Sequence, residues 1–248
     1  MDLDRITHPL RLAKGSHLAG SGKGCAMNAI SYITGDIEIT DYPECSARPL
    51  ATIVQWCNDQ LAGPDGYLSP EDSILALDLG WQTVRTAGVP ASVVHAWVAE
   101  LLTSPAWGVA WHAKDAAAKM VSDIAELHRM AAAGDMPPVS AWYAADCAAR
   151  TAAKAISRQS GRSGRCAVRA AYQSIASVDT SDLTKMDAVT GSALRSHELA
   201  PGGLAAVRAV ELTRLAIASW RYLAGLDASG DTNPALADSE LSPADVFA

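Results

Sequence analysis

Apolar positions recur at helical spacing along most of the chain. Between Cys25 and Thr34, the residues Ala26, Met27, Ala29, Ile30 and Ile33 form a short helical pattern that Gly35 closes. The stretch "ARPLATIVQWCNDQLA" sets Leu50, Ile53, Val54, Cys57 and Leu61 on one face, with Ser46 as its expected N-cap. Ser69, Pro70, Glu71 and Asp72 mark a further start, with a capping hydroxyl, a proline at the first position and acids in the first turn. That helix is expected to run to Thr86. Pro90 opens another, carrying Val94, Trp97, Val98, Leu101 and Leu102. A long pattern follows from Trp107 to Ala133, and "GDMPPVS" is the clearest internal linker. Helices are then expected over 139–159, 164–178 and 204–226. Only "DIEITDYPEC" reads as extended, with weak alternation at Ile37 and Ile39. The pattern predicts an all-α, mainly helical, bundle-like fold with a loop-rich N-terminal segment and one or two short strands at most.

Composition fits that reading. Hydrophobic residues make up 49% and charged residues 19%, and the single Phe leaves Leu, Val, Ile, Met and seven Trp to fill a core. The expected organisation is a helical domain over 1–134, an Ala-rich helical region over 135–226 and an acidic tail over 227–248. Five acids and no Lys or Arg lie between Asp227 and Ala248, so the remaining chain carries only −2 of the net −7. Acidity confined to a tail argues against a nucleic-acid mimic. No uninterrupted apolar run reaches membrane-spanning length, and the charged opening residues do not form a secretory signal. Five cysteines without framework spacing suit a reduced cytoplasm. No cofactor and no membrane partner are expected.

The most chemistry-like stretch is "KGSHLAGSGKGCAMNAISY". As a phosphate loop it supplies Gly20, Gly22 and Lys23. However, the magnesium hydroxyl position is Gly24, the first glycine falls on His17, and no buried strand precedes it. The turn is better read as a polar loop. Cys25 opens a helix, where backbone N–H groups favour a thiolate. It is a candidate nucleophile, with His17 as base and Asn28 or Asp41 orienting; a small buried hydrophobe is the plainer reading. His17, Cys25 and Cys45 also form a weak metal candidate, without the close ligand pairs typical of zinc. The first helix would be ~14 Å long and the ten residues 36–45 can span ~30 Å, so Cys45 can return toward Cys25. The same loop can instead pack on that helix through Asp41 and Arg48.

Two further features carry chemistry. Arg150, Lys154, Arg158, Arg162, Arg165 and Arg169 recur every three or four residues, as a phosphate-contacting stripe would. Gly161 and Gly164 interrupt it, and no aromatic residues interleave. Trp97, Trp107 and Trp111 cluster with His95 and His112, which suits core packing. His128 and His197 show no partner pattern.

Together "KGSH", "CAMNAISYITGD" and "ITDYPECSARPLA" with its downstream "WCND" resemble a group of uncharacterised proteins from actinobacteria and their phages. The shared positions are Gly15, Ser16, His17, Cys25, Met27, Asn28, Ala29, Tyr32, Gly35, Asp41, Pro43, Cys45, Asn58 and Asp59. The later "ALDLGWQTVRTAGVPA", with Asp78 and Arg85, is similar to that group's second helical block. The resemblance spans about the first 90 residues and implies a family without a mechanism. Function thus divides three ways: an accessory protein binding another protein through the polar cluster of the N-terminal segment, a Cys25–His17 enzyme, or nucleic-acid binding through 150–169. Asp41, Cys45, Arg48, Asn58, Asp59, Arg158 and Arg162 are the binding candidates.

Overall fold

The computed structural model describes residues 11–17, 22–156, 161–180 and 182–227. It is mainly helical, as expected, with nine α-helices among those residues and two isolated antiparallel bridges, Ala13–Tyr67 and Ser46–Val84, in place of strands. The extended segment after Gly35 pairs with no strand. Among the described residues no helix is long and apolar enough to cross a membrane. The chain forms two compact units.

The first unit comprises the residues up to Ala87 together with Ala206–Thr213. Its helices are α1 (Ala26–Thr34), α2 (Arg48–Leu61) and α3 (Pro70–Gln82). Met27, Ile30, Leu50, Val54, Cys57 and Leu79 are buried, following the spacing that predicted them. Gly35 ends α1 in a left-handed conformation that favours glycine, and Ser69 caps α3 by accepting from the Asp72 amide. Ser46 does not cap α2. The cap position is Ala47, because the Ser46 hydroxyl is held by Thr83 Oγ1 at 2.7 Å. α3 stops at Gln82, since Thr83 turns its own hydroxyl back onto the Gly80 carbonyl at 2.7 Å.

α1 and α3 run side by side in the same direction. At one end, Asn58 links Ala26 to Ala13, and the neighbouring Leu12 N–H donates to Ser73. At the other end, Thr34 meets Cys45, and Ser46 meets Thr83. Between them Gly80 sits against Ile30, close enough that an added Cβ would lie 3.0 Å from the Ile30 side chain.

The second unit comprises Gly88–Ala205 and the residues from Arg214 onward. Its helices are α4 (Ala91–Thr103), α5 (Asp115–Ala132), α6 (Val139–Ile156), α7 (Gly161–Ile175) and α8 (Met186–Glu198). The last helix among the described residues, α9 (Ala206–Leu223), contributes its later turns to this unit. Trp97 is fully buried, donates to the Ala216 carbonyl at 2.9 Å and packs against the rings of Trp107 and Trp220. Trp111, by contrast, is exposed, so the expected tryptophan core holds for two of the three.

The long helix expected from Trp107 begins only at Asp115. Gly108 folds the chain back on α4, where a Cβ would meet the Ser104 backbone at 2.4 Å. Gly164 does not interrupt α7 but lies inside it, against the His112 carbonyl. Helix α8 has no counterpart in the expected pattern. It buries Met186, Val189 and Ala193 at helical spacing, but it is rich in Thr, Ser and Gly, and Ser196 and Ser163 exchange hydrogen bonds between α8 and α7.

The four histidines of this unit form two pairs. His112 Nε2 and His197 Nδ1 are 2.9 Å apart and partly buried. His95 Nδ1 and His128 Nδ1 are also 2.9 Å apart, fully inside the core. The tautomers of the buried pair follow from its surroundings. Ser174 donates its hydroxyl to the Ala171 carbonyl, so it must accept from His128 Nε2–H at 2.9 Å. Neutral His128 then accepts at Nδ1 from His95 Nδ1–H. His95 Nε2 is left as a buried lone pair without a hydrogen-bond partner.

Candidate functional site

The polar cluster expected in the N-terminal segment forms in the first unit, around the N-terminus of α1. Cys25 is the cap residue, only 1% exposed. Asn28, one turn on, accepts from the Cys25 N–H through Oδ1 at 3.0 Å, and the Cys25 sulfur faces the Asn28 amide in return, a reciprocal capping box. Asn28 Nδ2 then donates to Asp41 Oδ1 at 2.9 Å, and the Cys25 thiol reaches the same oxygen at 3.5 Å. Gln55 on α2 holds the Asp41 backbone by donating to its carbonyl at 2.5 Å. The loop is therefore clasped to α1 and α2 through Asp41. Arg48, the other residue expected to make its contacts, sets its guanidinium carbon over the Tyr42 ring, 3.7 Å from the centroid.

Asn58 and Asp59 complete the clasp from α2. Asn58 is fully buried, accepts from the Ala26 N–H at 3.2 Å and donates to the Ala13 carbonyl at 3.0 Å. Asp59 accepts from the Gly15 N–H at 2.8 Å. Thus "GSH", the first turn of α1 and "ND" of α2, distant in sequence, are joined by a hydrogen-bond network.

The structure does not assemble the other expected constellations. His17 Nε2 bonds to the Ala13 carbonyl at 3.3 Å, and no hydrogen bond joins it to Cys25. Cys45 contacts Thr34 and Ser46, at the far end of α1 from Cys25, about 13 Å away by helical rise. The loop does run back along the helix, reaching Cys25 at Asp41, but it then doubles back and leaves Cys45 at the helix C-terminus. Among the described residues no group of three His, Cys, Asp or Glu side chains converges as metal ligands would. None of the five cysteines is in a disulfide.

The electrostatics of Cys25 also differ from expectation. Helix N–H groups do favour its thiolate, but burial opposes it more strongly, and the Asp41 carboxylate adds to the opposition. Together they push the thiol up to about 12. In the phosphate-loop candidate, residues 18–21 lie outside the described ones, and Lys23 points its ammonium at the Tyr67 ring, 5.3 Å from the centroid.

The basic stripe divides between two helices. Arg150 on α6 is held by Asp146 at 2.8 and 2.9 Å and lies over the Tyr172 ring; Lys154 is on the same helix. Arg158 lies outside the described residues. Arg162, Arg165 and Arg169 are exposed along one side of α7.

Residues that the sequence reading missed are Gln55, which anchors Asp41, and an exposed apolar set in this unit. Ile33, Ile74 and Trp81 are 59%, 67% and 55% exposed. Ile74, Asp78 and Trp81 are spaced as one helical face, a signal legible once the opposite face of α3 is assigned to the core. Compared with known protein families, curated proteins and solved structures, the chain matches none of them.

Proposed function

We propose that this chain is a helical accessory protein that acts by binding another protein, and that its N-terminal polar cluster is a structural clasp. The observation that carries this reading is the state of Cys25. Its thiol is buried, spends its hydrogen-bonding capacity on Asp41 and the first turn of α1, and has no hydrogen bond to the histidine expected as its base, since His17 bonds the Ala13 carbonyl instead. Such a group supports a fold and is poorly placed to attack a substrate. The clasp holds α1 and the loop after it as one surface, available to a partner. Six of the motif residues that resemble the actinobacterial and phage group, Gly15, Cys25, Asn28, Asp41, Asn58 and Asp59, make the clasp, so folding needs account for that part of the pattern.

Stability distinguishes the two roles of Cys25. Reactive centres usually carry strain, so replacing their residues tends to be neutral or stabilising. Replacing a buried cap loses packing and hydrogen bonds together. Cys25→Ala is expected to cost about 2 kcal/mol in urea unfolding. A variant as stable as the parent, or more stable, would mark a reactive site.

One observation favours nucleic acid as a second reading. Arg162, Arg165 and Arg169 share an exposed side of α7, and among the described residues none is in an ion pair. Salt-dependent retention of duplex DNA, lost in Arg162→Glu/Arg165→Glu, would support it. Absence of retention at low salt would dismiss it.

A further inference from the structure

The first unit exposes an apolar face whose location follows from the parallel course of α1 and α3. With Ile30 turned to Gly80, successive residues step round each helix by about 100°. Ile33 then lies about 60° to one side of Ile30, while Trp81 and Ile74 lie about 100° and 120° to the opposite hand of Gly80. For two helices running in the same direction, opposite hands bring these side chains to the same flank of the pair. Ser31, on the other flank of α1, is buried beneath the loop, where it contacts Asp36 and Thr40. Ile33, Ile74 and Trp81 therefore share the uncovered side. Apolar side chains grouped in this way on a polar surface mark contact sites.

The charges around this face have one sign. From Ala26 to Ala47 and from Pro70 to Val84 there are seven acids and no Lys or Arg. Glu71 and Asp78 on α3 are exposed, and among the described residues neither is in an ion pair; Glu38 and Glu44 belong to the loop after α1. Asp78 lies between Ile74 and Trp81 on α3, bonded only to Gln82 at its own helix end. A negatively charged partner would be repelled here, as would the chain's own acidic stretch 227–248.

We propose that the α1–α3 flank is the docking surface for a cationic amphipathic helix, a segment whose apolar stripe covers Ile33, Ile74 and Trp81 while its Lys or Arg residues meet Asp78 and Glu71. This rests on the reading that the chain acts by binding, and it specifies the partner. Apolar anchors in such an arrangement supply affinity, and the complementary charges supply rate and selectivity.

The test uses the full chain and two fluorescent peptides of the same helical pattern, one Leu/Lys and one Leu/Glu, followed by anisotropy. The Leu/Lys peptide is expected to bind saturably, several-fold more weakly at high salt. Binding should fall at least tenfold in Ile74→Ser/Trp81→Ser and in Asp78→Lys/Glu71→Lys. It should be unchanged in Val139→Ser/Tyr143→Ser, which alters exposed apolar residues of the second unit. All the substituted side chains are exposed, and circular dichroism should show the parent's melting transition. Preference for the Leu/Glu peptide, lost on replacing Trp81, would overturn the charge assignment while leaving a binding surface in place. Binding insensitive to Trp81 and Ile74, or none, would overturn the surface itself. Sedimentation showing self-association that Trp81→Ser abolishes would assign the flank to a second copy and overturn the cationic partner.

Discussion

Asn58→Ala is expected to destabilise the first unit by about 3 kcal/mol, among the largest effects of any polar substitution in the chain. The Asn58 side chain is fully buried and serves two backbone groups at once, the Ala26 N–H and the Ala13 carbonyl. The first is one of the donors that the start of α1 cannot satisfy internally. Truncation leaves the Ala26 N–H buried without a partner and the Ala13 carbonyl with only the longer His17 contact at 3.3 Å; an unsatisfied buried group costs about 1–3 kcal/mol, and the lost second bond and packing add to it. Asn58→Asp keeps the acceptor for Ala26 but loses the donor to Ala13, so it should fall between Ala and the parent at acid pH, where the carboxyl can donate again. Urea unfolding followed by the first unit's amide signals measures this. A change below about 0.5 kcal/mol, the usual range for surface substitutions, would show that the clasp is not what holds these segments together.

The second large effect is acid sensitivity of the second unit. Burial in the core holds the His128 imidazole at about 3, and its neighbour His95 adds to the depression. His95 is itself depressed by burial. The groups packed on the pair are Trp142 on α6, edge-on to the His128 ring, and Ser174 on α7; neither is a carboxylate that could stabilise an imidazolium. The sign follows from linkage. Above the unfolded value near 6.5, both states are neutral and the pair has no pH dependence. As pH falls below it, only the unfolded chain takes up the proton, so the stability present at neutral pH is progressively lost toward pH 3. The loss is about 1.4 kcal/mol per pH unit for one such histidine. His128→Phe should remove most of that slope, whatever its cost at neutral pH. Urea midpoints at pH 7 and pH 5 for parent and variant provide the check; equal slopes would contradict a buried neutral histidine.

Much of the fold was legible because its helices follow apolar spacing. α1, α2, α4, α5 and α9 carry apolar stripes or clear start signals, and Ser69 with Pro70 located the start of α3 to the residue. Where expectation failed, a tertiary contact outweighed a local preference. Ser46 is a good capping residue, but its hydroxyl is occupied by Thr83, far along the chain. Gly164 looks like a helix breaker, but its lack of a side chain admits the His112 carbonyl. α8 escaped because its buried face includes Thr190 and Ser196 alongside its apolar residues.

The candidate site was half legible. Cys25, Asn28, Asp41, Asn58 and Asp59 do converge; Asn28 and Asp41 were expected beside Cys25 as orienting groups, whereas the capping geometry that joins Asn28 to Cys25 was not read from their spacing. Which end of α1 received Cys45 could not be read from chain length, since an extended ten-residue segment can reach either. Nor could the protonation of Cys25 be read from its helix position, because the helix N-terminus and burial act in opposite directions and only packing decides between them. The histidine pairs have no sequence signal at all, being 33 and 85 residues apart.

The central claim, that Cys25 is a structural cap in a binding protein, is tested most directly by thiol reactivity in the native chain. Iodoacetamide labelling at pH 7.5, resolved by peptide mass spectrometry, compares Cys25 with Cys147, an exposed thiol on α6. With the Cys25 thiol raised to about 12 and shielded, its alkylation should be roughly a thousandfold slower than that of Cys147, becoming comparable only in urea. Native labelling of Cys25 as fast as Cys147 would contradict the account and return the residue to candidacy as a nucleophile.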